Sequence, residues 1–524
     1  MNGKENSEQA FDFDGLFVFD MANNHQGSVE HGLKIIQGVG EQARKHGIKG
    51  ALKFQFRQLD TFIHPDHQAG SKAMHIERFL STRLERKDYQ VLVDAVRDAG
   101  LLTMCTPFDE ESVDVIADMG FDLIKVASCS ATDWPLLEKV SDAGLPVVFS
   151  TGGTTIREID DIVSHFDHRG VDFAIMHCVG IYPTPDDMCN LSQISMLRHR
   201  YPAKVIGWST HEDPNDTVPV QIAVAKGAGM FERHVGFATD DIKLNAYSST
   251  PEQIGAWLAG YQKAKALCGP DDRPFVSEVE RSSMDSLRRG VFAKKAIKKG
   301  ATVTRDQVYF AMPFVEGQIS SGQWRDGIVA KTAFKPNEPL ADEKISVPED
   351  PDILTIKHAV HEVKALLNSA NVILNSEFTV EYSHHYGIEN FRETGAVLIN
   401  CINREYCKKI LVQLPGQRHP AHFHKRKEET FQVLYGDLSV SVDGHVRHLA
   451  PGETLLVQPG VWHSFWSENG VVFEEVSTTD HPNDSFYKDK EINRKKRHER
   501  KTVVDHWGRF QLGFALSEPQ TISE

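Results

Sequence analysis

The sequence has no apolar run long enough to span a bilayer, and its seven cysteines form no CxxC pair. A membrane-spanning helix needs about 20 apolar residues, so we expect no membrane partner. An odd number of scattered cysteines argues against a disulfide framework or a zinc ribbon. Residues 1–9 lack the basic and apolar regions of a secretory signal. These absences together predict a soluble, cytoplasmic protein with reduced thiols.

An excess of positive charge is also absent, because 73 acidic residues outnumber 58 basic ones and give a formal net charge of -15. Binding to nucleic acid needs basic surface that displaces counterions from phosphates, so we expect no nucleic-acid partner. The one basic run, Asn493–Lys501, lies among polar residues near the C-terminus and indicates a solvated tail or helix face. A chain of 524 residues is too long for one core, which predicts two or three domains.

Eight short apolar runs, rich in β-branched or aromatic residues, alternate with stretches of helical spacing in the first part of the chain. They are Leu16–Phe19, Ala51–Phe54, Leu101–Met104, Leu123–Val126, Val147–Phe149, Phe173–Met176, Val205–Trp208 and Met230–Phe231. Eight alternations of strand and helix are typical of an α/β TIM (β/α)8 barrel, which we predict for residues 1–270.

Each run ends in side chains that could bind or activate a ligand. They are Asp20, Lys53, Gln55, Thr106, Lys125, Ser128, Ser150, His177, Tyr182, Ser209, His211, Glu232 and His234. Barrel active sites form at the C-terminal ends of the strands, where side chains from different strands converge. The two lysines and the hydroxyls of Thr106, Ser128, Ser150 and Ser209 suit a phosphate group. Singly, such a lysine could extend to solvent and such a serine could cap a helix.

His211 and His234 follow the last two runs, which are neighbours in a closed barrel. Imidazoles on adjacent strands could share one divalent ion, with Glu232 or a water completing an open coordination sphere. Such an ion would polarise a carbonyl oxygen as a Lewis acid. A lone histidine is more often a satisfied polar residue, so it is the position of this pair that favours a metal site.

The remaining chain divides by composition into four parts. A charged, serine-containing linker reaches about Ser286 and is followed by a small β-rich module, residues 286–348. Pro348–Pro351 marks a boundary. Closely spaced strands and turns then predict an all-β jelly roll over residues 352–490, with a polar C-terminal tail over residues 491–524.

The jelly-roll region contains two histidine motifs. The first runs from Gly416 to Gly436 and holds His422, His424 and Glu429, and the second runs from Gly452 to His463. They resemble the two-part cupin signature. Three imidazoles and a carboxylate suit manganese, iron, nickel or zinc. Such a domain could bind a sugar or stabilise an oligomer without catalysis, or isomerise a sugar with Glu474 or Glu475 as the base.

Seven phrases at the strand ends resemble the sialic acid synthase (N-acetylneuraminate synthase) family, and the likeness covers nearly all of residues 17–267. They are Phe19–Gly27, Leu52–Gln55, Cys105–Asp109, Ile124–Ser128, Ser150–Gly153, His177–Pro183 and Glu232–His234. Residues 288–347 similarly resemble the antifreeze-like (SAF) domain that follows the barrel in these synthases. That domain caps the partner subunit's active site, so the resemblance implies a homodimer.

The resemblance implies condensation of phosphoenolpyruvate with an open-chain sugar aldehyde, followed by addition of water and loss of phosphate through C–O cleavage. The six phosphate-binding candidates would hold phosphoenolpyruvate, with Gln55 nearby, and His211 and His234 would hold manganese or magnesium. Asp20 stands where the family usually has glutamate and would handle protons or position water. Tyr182 would face the sugar. Asp20, Gln55, Tyr182 and Glu232 are the expected catalytic residues.

Three departures from the family pattern concern the sugar acceptor. Ile242–Asn245 replaces a Gly-Pro-Asp-His stretch, Met312 stands at the place of an arginine in the cap, and Gly180 replaces a polar residue. They imply an altered acceptor, one that lacks the N-acetyl group. Two other readings stay open: another phosphoenolpyruvate aldol-type synthase of the heptulosonate type, and an inactive or regulatory metal-dependent sugar-binding protein.

Overall fold

Eight parallel strands close into a barrel in strict sequence order. This computed structural model describes residues 10–68, 73, 75–271, 273–348, 352–505 and 507. The chain divides into two units, Met1–Phe275 and Val276–Glu524. The barrel strands are β1 (Leu16–Asp20), β2 (Lys49–Phe56), β3 (Leu102–Pro107), β4 (Leu123–Val126), β5 (Val147–Ser150), β6 (Phe173–Cys178), β7 (Ile206–Thr210) and β8 (Met230–His234). The predicted TIM barrel is therefore confirmed.

Helices surround the barrel and supply the outer half of its core. They are α1 (Val29–His46), α2 (Leu59–Phe62), α3 (Pro65–Gln68), α4 (Ile76–Ser81), α5 (Arg86–Asp98), α6 (Glu110–Asp118), α7 (Trp134–Asp142), α8 (Ile156–Arg169), α9 (Ser192–Arg200), α10 (Val218–Ala225) and α11 (Pro251–Cys268). Helix α8 shows how the sequence sets their ends. Thr155 and Glu158 form a capping box at its start, and Gly170 ends it in the left-handed conformation.

Alternate residues of each barrel strand face opposite sides, as the two-residue period of a strand requires. In β1, Phe17 and Phe19 pack toward the helices. Leu16 and Val18 belong instead to a separate apolar cluster with residues from the other strands. Asp20 continues the series of Leu16 and Val18, so the barrel interior is apolar at one end and polar where the strands finish.

The second unit begins with α12 (Glu278–Leu287) and four short strands. They are β9 (Gly290–Ala293), β10 (Val308–Ala311), β11 (Val329–Ala330) and β12 (Ile345–Ser346). Strands β9 and β10 pair antiparallel, as do β11 and β12. This region has a small apolar core of its own around Val291, Phe334 and Leu340.

Helix α13 (Asp352–Ser369) precedes two antiparallel sheets. Their strands are β13 (Thr379–Ser383), β14 (Ala396–Asn403), β15 (Tyr406–Gln413), β16 (Arg418–His424), β17 (Glu429–Gly436), β18 (Leu438–Val442), β19 (His445–Leu449), β20 (Thr454–Val457), β21 (His463–Trp466), β22 (Val471–Thr478) and β23 (Ser485–Tyr487). One sheet has seven strands and the other five. The predicted all-β region is confirmed, and residues 349–351 of the predicted boundary lie outside the described residues.

The prediction of a polar tail from residue 491 is wrong as far as residue 505. Two short helices, α14 (Lys490–Arg494) and α15 (Arg497–Arg500), lead into β24 (Lys501–Asp505). Strand β24 pairs antiparallel with β13 and completes the seven-stranded sheet. The sequence does not predict this strand, because two valines are the only apolar residues of β24 and the basic run ends at its first residue. Residues 508–524 of the predicted tail lie outside the described residues.

Among the described residues, every helix is too short or too polar to cross a bilayer.

Candidate active sites

The polar end of the barrel gathers most of the predicted site residues. Inward-facing positions continue past the apolar layer into Asp20, Lys53, Thr106, Lys125, Ser150 and Glu232, all of them buried. The register makes neighbours of Asp20 and Lys53 on β1 and β2, and of Asp20 and His234 on β1 and β8. Parallel strands in register therefore bring these side chains to one interior surface.

Two lysines and two carboxylates form the centre of this surface. Lys53 Nζ lies 2.6 Å from Glu232 Oε1 and 3.0 Å from Asp20 Oδ2. Burial alone would lower the pKa of Lys53, but Asp20 and Glu232 raise it above its ordinary value. Burial would likewise raise the pKa of Glu232, yet Lys125 and Lys53 hold it at about 2. Lys53 and Glu232 are thus charged at neutral pH.

Lys125 keeps a donor for a ligand. Its ammonium donates to Ser150 Oγ at 2.6 Å and to the carbonyl of Val126 at 3.1 Å. Its nearest carboxylate oxygen, Glu232 Oε2, is 3.8 Å away. An ammonium group has three donors, so one remains for an acceptor such as phosphate. Burial lowers the pKa of Lys125, which a bound anion would reverse.

The predicted hydroxyls surround the charged centre. Ser209 Oγ donates to Glu232 Oε1 at 3.3 Å, and Ser128 Oγ accepts from the backbone N–H of Gly152 at 3.0 Å. A Cβ at residue 152 would lie 2.7 Å from Ser128 Oγ, so only glycine allows this approach. Thr106 Oγ1 is buried and has no hydrogen-bond partner among the described residues. A bound ligand that forms a hydrogen bond with this hydroxyl would explain why it has no protein partner.

His211 and His234 lie side by side, with ring centres 5.3 Å apart. His211 Nδ1 is 3.0 Å from the carbonyl of Val179, and His234 Nδ1 is 3.4 Å from Asp20 Oδ2. These partners only accept, so each Nδ1 carries the proton and each Nε2 is left as a ligand atom. Burial and the neighbouring imidazole lower the pKa of His211 to about 3. Two neutral imidazoles with fixed tautomers fit a divalent ion.

Tyr182 lies over this pair at the mouth of the barrel. Its ring centre is 3.9 Å from that of His211, and half of its surface is exposed. Gln55 donates from Nε2 to Asp20 Oδ2 at 3.4 Å. The structure therefore brings Asp20, Gln55, Tyr182 and Glu232 to the same end of the barrel.

The second unit contains a separate cluster of three histidines. His422 and His424 are two residues apart on β16 and share one face, and His463 on β21 pairs directly with His422. One nitrogen of each ring lies within 4.8 Å of the others. Glu429 adds its carboxylate, with oxygens 3.3 Å from His424 Nε2 and 3.2 Å from His463 Nε2.

Backbone carbonyls fix the tautomer of all three rings. The Nδ1 atoms of His422, His424 and His463 are 3.0, 3.1 and 3.1 Å from the carbonyls of Pro420, Asp484 and Val461. Each Nε2 is thereby directed to the centre of the cluster. Such anchoring of the outer nitrogen is typical of histidine metal ligands, so these residues fit a divalent transition-metal ion.

Further charged residues line the pocket that contains two of the three histidines. Lys427 Nζ lies 2.6 Å from Glu429 and 2.9 Å from Glu475. Although burial opposes it, Lys427 holds the pKa of Glu429 well below its ordinary value. Of the two predicted bases only Glu475 lines the pocket, because Glu474 points the other way and pairs with Lys408 at 2.9 Å.

The family models match both regions. Residues 41–271 match the NeuB family and residues 410–473 match the cupin domain. The uncharacterized protein MJ1065 of Methanocaldococcus jannaschii is 31% identical over 295 residues, which are 55% of this chain and 82% of that protein. The chain belongs to the NeuB family.

Other relatives agree with this membership. N-acetylneuraminate-9-phosphate synthase of Drosophila melanogaster is 27% identical over 317 residues, which are 55% of this chain and 84% of the relative. The solved structure of a protein described as spore coat polysaccharide biosynthesis protein E from Chromobacterium violaceum is 45% identical. It covers 64% of this chain and 100% of its own, with a TM-score of 0.61.

Sequence reasoning missed several residues of the NeuB-family barrel. Tyr247 lies 5.1 Å from Tyr182 and 5.2 Å from His234 by ring centres. Arg57 packs over Phe108 at 3.5 Å, and burial lowers its pKa to about 10. Arg57 directly follows β2, so a predicted strand that extended beyond Phe54 to residue 57 would have included it. The loop that carries Tyr247 gives no comparable signal.

A buried ion pair ties the ends of β7 and β8 together. Arg233 Nη2 is 3.1 Å from Glu212 Oε1 and 3.0 Å from the carbonyl of Asp213. Both side chains are almost fully buried. Since His211 precedes Glu212 and His234 follows Arg233, the pair fixes the spacing of the two imidazoles.

We expect Arg233→Met to destabilise the first unit by at most about 3–5 kcal/mol, because it leaves Glu212 without a partner in the interior. Burial already raises the pKa of Glu212 to about 7 against the effect of Arg233, so in the variant this carboxyl takes up a proton. Calorimetric unfolding of the full chain measures this change. The control is Arg200→Met, which breaks an exposed pair with Asp160 and should cost about 1 kcal/mol or less. Equal losses in the two variants would contradict a special role for the buried pair.

Proposed function

We propose that the barrel condenses phosphoenolpyruvate with an aldose to a nonulosonic or related 2-keto-3-deoxy sugar acid and releases phosphate. The observation that carries the proposal is the buried cluster of Lys53, Lys125, Asp20 and Glu232 beside two oriented imidazoles. Family relatives named as synthases of N-acetylneuraminate 9-phosphate, diacetyllegionaminic acid and pseudaminic acid support the same class of reaction.

Phosphoenolpyruvate is held in this proposal by Lys125, Lys53 and the hydroxyls around them. Lys125 offers its third donor to the phosphate, and the unpartnered hydroxyl of Thr106 offers another. We assign the phosphate to this position because phosphate oxygens only accept hydrogen bonds, and ammonium and hydroxyl groups supply the donors. Ser128, Ser150 and Ser209 complete the set.

The reaction joins C3 of phosphoenolpyruvate to the aldehyde carbon, and the aldehyde oxygen takes a proton to become a hydroxyl. Manganese or magnesium on His211 and His234 would act as a Lewis acid toward the carbonyl group. Water adds to C2, and phosphate leaves with the former bridging oxygen. Asp20, held by Lys53 and Gln55, positions that water or takes its proton. Tyr182 faces the sugar from the mouth.

We propose an acceptor without an N-acetyl group, because Gly180 offers no polar side chain on the loop after β6. The test is phosphate release with a panel of sugars: N-acetylmannosamine, its 6-phosphate, mannose, lyxose and arabinose. Mass spectrometry should show a product that is heavier than one of the sugars in the panel by a pyruvate unit. Phosphate release that no sugar stimulates would contradict the synthase.

We propose as well that the cupin isomerises a ketose to an aldose, with Glu475 moving the proton between C1 and C2. The observation that favours it is a buried carboxylate lining the same pocket as the histidine cluster, held by Lys427 at 2.9 Å and by Ser477 Oγ at 3.0 Å. A base takes the C1 proton and returns it to C2, while a hydroxyl proton passes to the carbonyl oxygen. Manganese, iron, nickel or zinc on the histidines would polarise that carbonyl.

We expect Glu475→Gln to lower ketose isomerisation by about 10²-fold, since general-base catalysis contributes at least that much. Glu474→Gln is a matched control because it is the next residue on the same strand and points out of the pocket. Proton NMR of a ketose panel with full-length, manganese-loaded protein measures the conversion. If the unaltered protein converted none of the ketoses, the isomerase would be ruled out.

We further propose that residues 1–270 form the barrel domain and that residues 286–348 form a SAF cap. In a homodimer this cap would cover the barrel of the partner subunit. We also propose a cytoplasmic location. Met312, at the place of the cap arginine, is about half exposed. Analytical ultracentrifugation tests the dimer, and a monomer at micromolar concentration would contradict it.

A further inference from the structure

We infer that the cupin pocket binds an anionic sugar, a sugar phosphate or a sugar acid, whose negative charge is received by basic residues of the C-terminal segment. This inference rests on the proposed ligand site at the histidine cluster. It names the chemical class of the ligand and assigns a subsite to residues 497–501, outside the two histidine motifs.

The charges that line the pocket favour an anion. Five basic side chains face it against four acidic ones. The basic residues are Lys409, Lys427, Arg497, Arg500 and Lys501, and the acidic ones are Glu381, Glu429, Glu475 and Asp480. One positive charge is therefore in excess before any divalent ion binds, and such an ion would increase the excess.

Four of the basic groups already have carboxylate partners. Lys427 and Lys409 contact Glu475 and Asp480, with Lys409 Nζ 3.0 Å from Asp480. Arg497 and Lys501 both contact Glu381, at 3.0 and 2.5 Å. The group without a carboxylate within ion-pair distance, among the described residues, is Arg500.

Arg500 points two buried donors at no acceptor. Its Nε and Nη1 atoms are shielded from solvent and have no hydrogen-bond partner among the described residues. The guanidinium lies 5.1 Å from the ring centre of Tyr487, and Tyr487 stacks on His422 of the histidine cluster. The unsatisfied cation and the proposed metal ligands are thus separated by one aromatic ring.

A guanidinium group only donates, so a ligand that only accepts satisfies it best. Phosphate and carboxylate oxygens only accept, whereas a neutral sugar hydroxyl both donates and accepts. The buried orphan donors of Arg500 therefore select for an anionic group on the sugar.

The test uses the full chain with Lys53→Met in the barrel, loaded with manganese, and isothermal titration calorimetry with glucose, glucose 6-phosphate and gluconate. We expect one of the two anions to bind at least ten-fold more tightly than glucose. Arg500→Met should abolish that preference, and Arg500→Lys should restore part of it. Arg494→Met, which alters an exposed arginine of α14, should leave the preference unchanged. The anion that binds more tightly identifies phosphate or carboxylate as the recognised group.

Unchanged manganese content in Arg500→Met shows that the pocket is folded. Equal binding of all three sugars, no binding of any, or a preference that survives Arg500→Met would each overturn the inference. Arg500-dependent binding without turnover would refute the isomerase and leave the inference standing. Turnover of neutral ketoses but not of anionic ones would refute the inference and leave the isomerase standing.

Discussion

Lys53→Met is expected to lower sugar-dependent phosphate release by about 10³-fold or more. The ammonium group bridges Asp20 and Glu232 in the interior, so its loss removes a phosphate contact and leaves two neighbouring carboxylates without their cation. Steady-state kinetics with a phosphate-detecting coupled assay measure the change, and calorimetric titration with phosphoenolpyruvate shows how much of it is lost binding.

Lys49→Met is the matched control, because Lys49 begins the same strand and is exposed outside the site. Its kinetics should equal those of the unaltered chain. Phosphate release that survives Lys53→Met within ten-fold, in protein with an unchanged circular dichroism spectrum, would place the phosphate elsewhere.

His463→Ala is expected to remove about one equivalent of transition metal per chain, because a site that loses one of three imidazoles binds far more weakly. The remaining ligands are His422 and His424 on β16 and Glu429 on β17, and this smaller set holds the ion less tightly. Metal analysis by mass spectrometry after dialysis measures the loss. The barrel should release phosphate at an unchanged rate.

His448→Ala is the control for that experiment. His448 lies on β19 of the same unit, where its ring bonds to Ser439, and it lies outside the three-histidine cluster. Its metal content should stay that of the unaltered chain. If metal content were the same in both variants, the three histidines would not be the metal site.

The barrel and its site were predictable because both follow from a period of two. Ala51, Lys53 and Gln55 occupy alternate positions of β2, so polar residues in phase with the inner apolar ones share one interior surface. His177 on β6 is an exception, because it faces away from the barrel interior and its Nε2 lies 2.9 Å from the carbonyl of Cys189. The cupin histidines were predictable for the same reason, since His422 and His424 are separated by one residue.

The rest depended on contacts that no local pattern encodes. Strand β24 has the sequence Lys-Thr-Val-Val-Asp and becomes a strand only because the open edge of β13 pairs with it. Arg500 and Lys427 line the cupin pocket through tertiary packing, and Tyr247 reaches His234 from a loop. Such long-range placements need the fold as well as the sequence.

In the proposed reaction the barrel transfers the carbon skeleton of phosphoenolpyruvate to an aldose. This transfer is tested most directly with phosphoenolpyruvate that carries ¹⁸O at the bridging oxygen, incubated with manganese and the sugar panel. We expect sugar-dependent release of phosphate that retains the label, and a sugar acid that lacks it. Label retained in the organic product, or no phosphate release with any sugar, would contradict the account.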